Sequence, residues 1–312
     1  MSSLLFDLKS KIRYSHLGCS LVDEIQMSPF SDVLYKFLDA CYLSDSAHER
    51  RHPSLRIQEE MKEARKFFQA NESRVAAICA SFEDNKSIDT YKKAILYRQT
   101  LNIKYRPPFS IHDQYFPSVI VDLGGQEVFV DCGAYVGDTI NRFLRLCGHK
   151  YKRIVAFEPD LVNGKKIASM NVPRLIQINA GVWSKAAILK FDIINHVGWA
   201  KIDQTKALSL DNSNAVSTNS GEILVQAIDE TESCRDCTFI KMDIEGSEMN
   251  ALVGARQTIE RMRPKLAICI YHSDEDMLRI PEWILNLHLD YKLFVRHHFG
   301  ARNETVAYAI PK

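Results

Sequence analysis

Three ionisable side chains alternate with apolar ones in the segment FIKMDIEGSE. If the segment is a strand, Lys241, Asp243 and Glu245 share one face, because successive side chains of a strand point to opposite sides of the sheet. Charged groups on a buried strand are costly unless they are paired or take part in chemistry. We predict that Asp243 lies beside the reacting groups as a base or metal ligand, and that Glu245 orients the substrate or ligates a metal. A structural network in which Lys241 neutralises a neighbouring acid is the alternative.

A glycine-containing loop follows another apolar segment, in FVDCGAYVGDT. The predicted strand ends at Asp131, and Gly133 and Gly137 bracket a tight turn before a helix. In open parallel sheets ligands bind beyond the carboxyl ends of the strands, where glycine lets the backbone approach closely. The D-x-G-x-x-x-G spacing differs from the G-x-G-x-x-G of dinucleotide-binding proteins and is closer to the loop that wraps S-adenosylmethionine, which has no pyrophosphate. A turn that serves only packing is the alternative.

The next predicted strand, RIVAFEP, has a carboxylate at its end, at the same edge of the sheet as the glycine-containing loop. Glu158 stands 21 positions after Gly137. A carboxylate there can accept hydrogen bonds from both hydroxyls of an adenosine ribose, and such charge-assisted bonds contribute about 1.5 to 3 kcal/mol each. We predict that Glu158 binds the ribose, with a solvated loop acid before Pro159 as the alternative.

Histidines occur near the ends of two later strands. KLAICIYHSDED places His272 at the end of the strand that follows Asp243. A histidine has a reference pKa of about 6.5, so it could take a proton from a hydroxyl. A capping or ribose-contacting histidine is equally compatible with the pattern. Further on, Arg296, His297 and His298 are predicted to lie on a loop at the rim of the site, where Arg296 could steady an acidic or sugar-bearing substrate.

The elements that position these residues alternate between strands and helices from about residue 118. SVIVDL and EVFV are predicted as two short strands joined by a turn, and a helix is predicted over 247–262. Strands that are continuously apolar and separated by helices indicate a parallel sheet covered on both faces. A closing pair, YKLFVRHH and ETVAYAI, has only a short loop between its strands and predicts an antiparallel edge. The predicted fold class is an α/β, doubly wound sheet with one reversed strand.

The first third of the chain has a helical pattern. Apolar residues spaced three and four apart predict amphipathic helices over 32–43, 54–71 and 87–103. Ser54 and Ser87 are predicted helix caps, and Pro107-Pro108 ends the region because proline cannot continue a helix. We therefore predict a helical N-terminal domain over residues 1–110 and a second domain over 111–312. The first could serve in packing or partner binding, as a substrate lid, in a homodimer or as an adaptor.

Composition limits the possible partners and compartments. The 312 residues are 46% hydrophobic, with 40 Lys and Arg against 39 Asp and Glu. This balance provides no basic surface for nucleic acid, and no apolar run reaches the 18 or more residues of a membrane span. The start MSSLLFDLKSKIRYS carries charges in its apolar stretch, unlike a signal peptide, so a cytoplasmic protein with free thiols is expected. Cys234 and Cys237 form a C-x-x-C motif without a second pair at zinc spacing.

Taken together, the motifs resemble those of the FkbM family of S-adenosylmethionine-dependent methyltransferases. The resemblance is carried by FVDCGAYVGD, AFEP, IKMDIEGSE with ALVGA, RPKLAICIYH and RHH followed by ETVAYAIP. It covers about residues 118–312. It differs from the usual family pattern at Tyr135, where the family has Asn.

The resemblance implies a seven-stranded class I methyltransferase sheet and methylation of a hydroxyl oxygen on a small-molecule, sugar, glycan or natural-product acceptor. It implies that the methionine part of S-adenosylmethionine is lined by Asp131, Gly133, Ala134 and Gly137. Glu158 would then bind the ribose. The residues implied to face the acceptor are Asp243, Glu245 and His272.

Two other functions remain compatible with the sequence. Glu158 would also suit the ribose of NAD in an oxidoreductase, although the G-x-G-x-x-G loop is missing. A non-catalytic cofactor-binding or scaffolding protein is the second, and the acids at Asp243 and Glu245 argue against it. The same two carboxylates could bind Mg²⁺ through oxygen.

Overall fold

The computed structural model describes residues 55–192, 201–208 and 222–312, so the helix predicted over 32–43 lies outside the described residues. The strands, in chain order, are β1 (Val128–Cys132), β2 (Arg153–Phe157), β3 (Leu175–Ile178), β4 (Gly181–Val182), β5 (Ala187–Asp192), β6 (Lys201–Leu208), β7 (Glu222–Gln226), β8 (Phe239–Met242), β9 (Lys265–Cys269), β10 (Tyr291–His297) and β11 (Thr305–Pro311). The α-helices are α1 (Leu55–Ala70), α2 (Glu72–Ser81), α3 (Asn85–Thr100), α4 (Asp138–Leu146), α5 (Leu161–Ser169), α6 (Glu248–Val253), α7 (Arg256–Met262) and α8 (Asp274–Asn286).

Seven strands form the main sheet in the order β10-β11-β9-β8-β1-β2-β3. Neighbouring strands from β9 to β3 are parallel, whereas β11 is antiparallel to both β9 and β10. The predicted α/β sheet with an antiparallel last strand is therefore confirmed. Because β1, β2, β8 and β9 end at one edge, the polar residues that follow them are brought together there.

The core lies on both faces of this sheet. Val128 and Val130 of β1 belong to one buried cluster, while Phe129 belongs to a second cluster on the other face. This division follows from the alternation of side chains along a strand. Both faces are covered, which explains why the central strands read as continuous apolar runs.

The described N-terminal helices pack onto the main sheet. Phe68 and Tyr91 share the buried cluster that contains Val130, and the Tyr91 hydroxyl donates to the backbone oxygen of Met277 over 2.7 Å. Helix α3 begins after Asp84, whose carboxylate accepts from the Ser87 amide over 2.7 Å. The cap predicted at Ser87 was therefore wrong by three positions, because Asp84 supplies the acceptor that the first helical turn needs.

A smaller sheet of four strands, in the order β4-β7-β5-β6, follows β3. It is mostly antiparallel, with β5 pairing both β6 and β7. Trp183 and Leu189 lie in its small buried cluster. Among the described residues, no helix has the length and apolar character required to cross a membrane.

Two predicted elements differ in the structure. Residues 118–120 form a turn instead of a strand, since β1 already pairs with β2 on one side and β8 on the other. The helix predicted over 247–262 is divided into α6 and α7 at Gly254. A Cβ atom on Gly254 would lie 2.1 Å from the backbone oxygen of Trp183, so the small sheet approaches the helix backbone directly.

This contact makes Gly254 sensitive to substitution. Gly254→Ala is expected to lower the free energy of unfolding by about 1 to 3 kcal/mol, because the added methyl group meets backbone atoms that can only move by shifting the small sheet. Gly124→Ala is the matched control, since the nearest atom to its added Cβ would be 3.6 Å away. Urea-induced unfolding of both variants measures the difference, and equal midpoints would contradict the expectation.

Candidate active site

The glycine-containing loop after β1 is held by the neighbouring strands. Gly133 and Gly137 have φ values of +79° and +84°, in the left-handed region that favours glycine. The amides of Gly133 and Ala134 both donate to the backbone oxygen of Phe157 over 3.0 Å. A Cβ atom on Gly133 would lie 2.0 Å from the backbone oxygen of Asp243. The loop therefore lies against the end of β8, with no room for a side chain between them.

A buried ion pair between Asp131 and Lys241 stabilises this loop. Asp131 is fully buried, and its carboxylate lies 3.0 Å from the Lys241 ammonium group. Lys241 also donates to the backbone oxygens of Gly133 over 2.7 Å and Cys132 over 3.2 Å. Burial acts to lower the pKa of Lys241, but the charges of Asp131 and Asp243 outweigh it, and the pKa is raised. Lys241 therefore stays charged and connects the strand to the loop.

Two of the residues expected to line a ligand are placed differently. Asp131 and Ala134 both have no exposed surface, so their side chains offer no direct contact to a bound molecule. The carboxylate of Asp131 is instead used to hold Lys241. Of the two glycines of the loop, Gly133 is partly exposed and Gly137 is buried, so it is the backbone at Gly133 that remains accessible beside Asp243.

Glu158 follows β2 and is 6% exposed. Its two oxygens accept hydrogen bonds from the amides of Tyr135 over 2.8 Å and Asp160 over 2.9 Å. Burial raises the pKa of Glu158 to about 7. Tyr135, at the position that differs from the usual family pattern, has a φ of +47°. Glu158 thus fixes the conformation of the loop at Tyr135 and leaves one lone pair on each oxygen for further donors.

On the other side of the loop, Asp243 is surrounded by donors. Its Oδ2 accepts from the Tyr115 hydroxyl over 2.6 Å, and its Oδ1 accepts from the Tyr271 hydroxyl over 3.2 Å. His272 Nε2 lies 3.4 Å from the same Oδ1. Burial acts to raise the pKa of Asp243, but the charges of Lys241 and His272 and the two phenols together lower it. Asp243 is therefore a stable anion with little affinity for a proton.

His272 lies between carboxylates. Its Nδ1 is 3.1 Å from Oε1 of the fully buried Glu248, and its Nε2 faces Asp243 and, over 3.7 Å, Glu245. Burial acts to lower the pKa of His272, but Glu248 and the other acids outweigh it and raise the pKa to about 9. A ring that is protonated at neutral pH has no free lone pair for another proton, so this arrangement does not favour the predicted role of His272 in taking a proton from the acceptor.

Glu245 is the acid of the cluster most accessible to solvent. Its side chain is 42% exposed, and its backbone has a φ of +56° in the turn that leaves β8. Partial burial of the Glu245 carboxylate raises its pKa to about 7, although the positive charge of His272 acts in the opposite direction. A solvent-exposed carboxylate with a pKa near neutrality is suited to accept a proton.

Three residues of the site were missed by the sequence analysis. Glu304 precedes β11, accepts from Gln114 Nε2 over 2.5 Å, and has a pKa raised to about 8 by burial and by Asp243. Glu248 stands in the quoted motif, five positions after Asp243, and could have been selected from it. Nothing in the local sequence marked Tyr115, which reaches the site only through tertiary folding.

The structure also tests the expected metal site. Within the described parts of the chain, one group of side chains is compact enough to ligate an ion together, namely Asp243, Glu248 and His272, whose ligand atoms lie within 4.8 Å of one another. Glu245 is not part of this group, so the predicted Mg²⁺ site at Asp243 and Glu245 has no support from the geometry. The two ring nitrogens of His272 face different carboxylates, an arrangement that a protonated imidazole satisfies by itself.

The predicted rim residues are buried and structural. Arg296 donates to Asp84 over 2.6 Å, and His297 and His298 are 2% and 1% exposed. Burial lowers the pKa of His297 to about 4 and that of His298 to about 3. The placement of these three residues at the rim was wrong, because Arg296 and His297 belong to β10 and His298 directly follows it.

Comparison with known protein families gives a match over the region that contains most of these residues. The model of the methyltransferase FkbM domain matches residues 131–293, just over half of the chain. The chain belongs to the FkbM methyltransferase family. The matched region starts at Asp131 and contains the loop, Glu158, the acids after β8 and His272. No curated protein sequence matched the chain.

Solved structures of methyltransferases resemble this chain to different degrees. The methyltransferase FkbM of Methylobacillus flagellatus KT matches with a TM-score of 0.65 and 25% identity, covering 78% of this chain and 60% of its own. This FkbM-family chain thus spans about 60% of the length of that relative. Aeropyrum pernix fibrillarin, solved with bound S-adenosyl-L-methionine, gives a TM-score of 0.36 at 12% identity, covering 61% of this chain and 70% of its own. An rRNA methylase of Streptococcus thermophilus has a TM-score of 0.34 at 11% identity, and the match covers 61% of this chain and 91% of its own.

Proposed function

We propose that this protein transfers the methyl group of S-adenosylmethionine to a hydroxyl oxygen of a small-molecule or glycan acceptor. The observation that carries the proposal is the contact between the loop at Gly133 and the backbone of Asp243, where a Cβ would be 2.0 Å from the Asp243 oxygen. A methyl donor held on the loop would lie directly beside the acids that follow β8. Family membership supports methyl transfer, and the carboxylates support a hydroxyl acceptor.

The residues divide into a cofactor side and an acceptor side. On the cofactor side, the loop after β1 places the backbone of Gly133 against Asp243, and Glu158 has lone pairs for ribose hydroxyls. Bound S-adenosylmethionine supplies a methyl group already activated by its positive sulfur. The protein then has to hold the acceptor oxygen in line with that group, and such positioning can contribute roughly 7 to 11 kcal/mol to lowering the barrier.

The acceptor proton goes to Glu245 in this proposal. Asp243 holds its negative charge through two phenols and His272, so it orients the hydroxyl by accepting a hydrogen bond. Glu245 has the pKa of about 7 that a general base needs near neutral pH. The imidazolium of His272, 3.7 Å from Glu245, stabilises its ionised form. Glu248 keeps the ring in that orientation.

Calorimetry with S-adenosylhomocysteine tests the cofactor assignment. We expect the wild-type protein to bind this demethylated product and to ignore NADH, which would be bound instead by an oxidoreductase. Labelled-methyl transfer from S-adenosylmethionine into a cell extract then tests catalysis. Binding without any transfer would favour a non-catalytic cofactor-binding protein, and absence of binding would refute the proposed function.

The variant Asp243→Ala separates binding from turnover. We expect its affinity for S-adenosylhomocysteine to change by less than about threefold, while methyl transfer falls about 100-fold or more because the acceptor oxygen is no longer aligned. Asp89→Ala is the control, since Asp89 is exposed on α3, where it pairs with Lys93 over 2.8 Å. Unchanged transfer in Asp243→Ala would refute the role of this residue.

A further inference from the structure

Tyr115 reaches the acceptor side from a segment that precedes the matched methyltransferase domain. Its hydroxyl donates to Asp243 Oδ2 over 2.6 Å, and its ring lies 5.2 Å from the Lys241 ammonium group. The residue is 6% exposed. Tyr115 is therefore in contact with both the acid at the acceptor side and the lysine that supports the cofactor loop.

The backbone of Tyr115 is held in an unfavourable conformation. Its φ is +63°, in the left-handed region where a bulky residue is rarely found. The conformation is fixed by a hydrogen bond from the Tyr115 amide to the Tyr308 hydroxyl over 3.0 Å. Tyr308 is itself 2.8 Å from His298 Nε2. Backbone strain that persists because its surroundings enforce it is concentrated at functional sites, and here it directs the phenol towards Asp243.

The groups around Asp243 show why this orientation matters. The charged and phenolic groups that face Asp243 come from several elements: Lys241 of β8, Glu245 after β8, Tyr271 and His272 after β9, Glu304 before β11, and Tyr115. Tyr271 and His272 both approach Oδ1, whereas Tyr115 approaches Oδ2. We expect that removal of the Tyr115 phenol would let the Asp243 carboxylate rotate towards the ammonium group of Lys241 and the imidazolium of His272.

We propose that Tyr115 is a positioning residue of the acceptor site, whose phenol holds the Asp243 carboxylate in the orientation that aligns the methyl acceptor. The proposal rests on the proposed function. It assigns part of the acceptor site to the segment between the N-terminal helices and β1, outside the region matched by the family model.

Tyr115→Phe removes the hydroxyl and retains the ring. We expect the rate of labelled-methyl transfer into the extract to fall about 10- to 100-fold, as for loss of a hydrogen bond to a charged group. The KM for S-adenosylmethionine and the affinity for S-adenosylhomocysteine are expected to stay within about twofold of wild type. Tyr151→Phe is the matched control, because its hydroxyl donates to the backbone oxygen of Pro173 away from the site.

A double-mutant cycle distinguishes positioning from a general structural role. If Tyr115 acts through Asp243, Tyr115→Phe has little further effect on transfer in the Asp243→Asn background. Equal effects in both backgrounds would overturn the proposal, as would a rate equal to wild type or a loss of S-adenosylhomocysteine binding. If the wild-type protein neither binds S-adenosylhomocysteine nor transfers methyl groups, the proposed function fails and this proposal fails with it. If the wild-type protein is active and Tyr115→Phe transfers methyl groups at the same rate, only the proposal for Tyr115 is overturned.

Discussion

Lys241→Met is expected to lower the free energy of unfolding by about 3 to 5 kcal/mol, because it leaves the Asp131 carboxylate buried without its cation. Asp131 has no exposed surface, and Lys241 is 2% exposed. A loss of this size is a large fraction of the total stability of a typical domain. Denaturant unfolding measures it, and calorimetry with S-adenosylhomocysteine should show weaker binding because the loop loses the donor to Gly133.

Two further variants identify the cause of that loss. The first is the double variant that combines Asp131→Leu with Lys241→Met and lacks both charges. Its free energy of unfolding should be close to that of the wild type, since apolar groups can replace a buried ion pair at little cost. Lys292→Met is the surface control, because its ammonium group lies 3.6 Å from Glu83 and both side chains are more than 40% exposed. Such surface pairs contribute about 0 to 1 kcal/mol. Equal losses in Lys241→Met and Lys292→Met would show that Asp131 does not depend on Lys241.

Glu245→Gln is expected to lower methyl transfer by about 10²- to 10⁴-fold, the usual contribution of a general base. The base must be ionised, and burial raises the pKa of Glu245 to about 7. Wild-type transfer should therefore fall about tenfold per pH unit below pH 7 and level off above it. The amide of the variant does not titrate, so this acid limb should disappear from its residual activity.

The control for this variant is Glu275→Gln. Glu275 is 46% exposed on α8 and contacts Arg74 over 3.5 Å, so neither the rate nor the pH profile should change. Affinity for S-adenosylhomocysteine should be equal in wild type and Glu245→Gln. A wild-type acid limb that persists in Glu245→Gln would assign the proton transfer to another group, and the role proposed for Glu245 would then be wrong.

Much of the architecture was determined by the sequence alone. Continuous apolar segments separated by helices predicted the parallel sheet, and the closing strand pair predicted its antiparallel edge; the structure confirms both. Gly133, Glu158 and Asp243 were correctly placed at one edge, because parallel strands end together and each of these residues follows its strand in the sequence. Recognition of the FkbM family rested on the same local motifs and is confirmed.

The roles of individual side chains were decided only by tertiary structure. Asp131 was expected at the ligand, but burial beside Lys241 makes it a support for the loop. His272 was expected as a base, but Glu248 keeps it protonated. Tyr115 carried no signal at all. The pKa of a side chain depends on its burial and on its distance from other charges, and these are set by residues far apart in the chain. Strand and helix patterns depend on near neighbours, which can be read directly from the sequence.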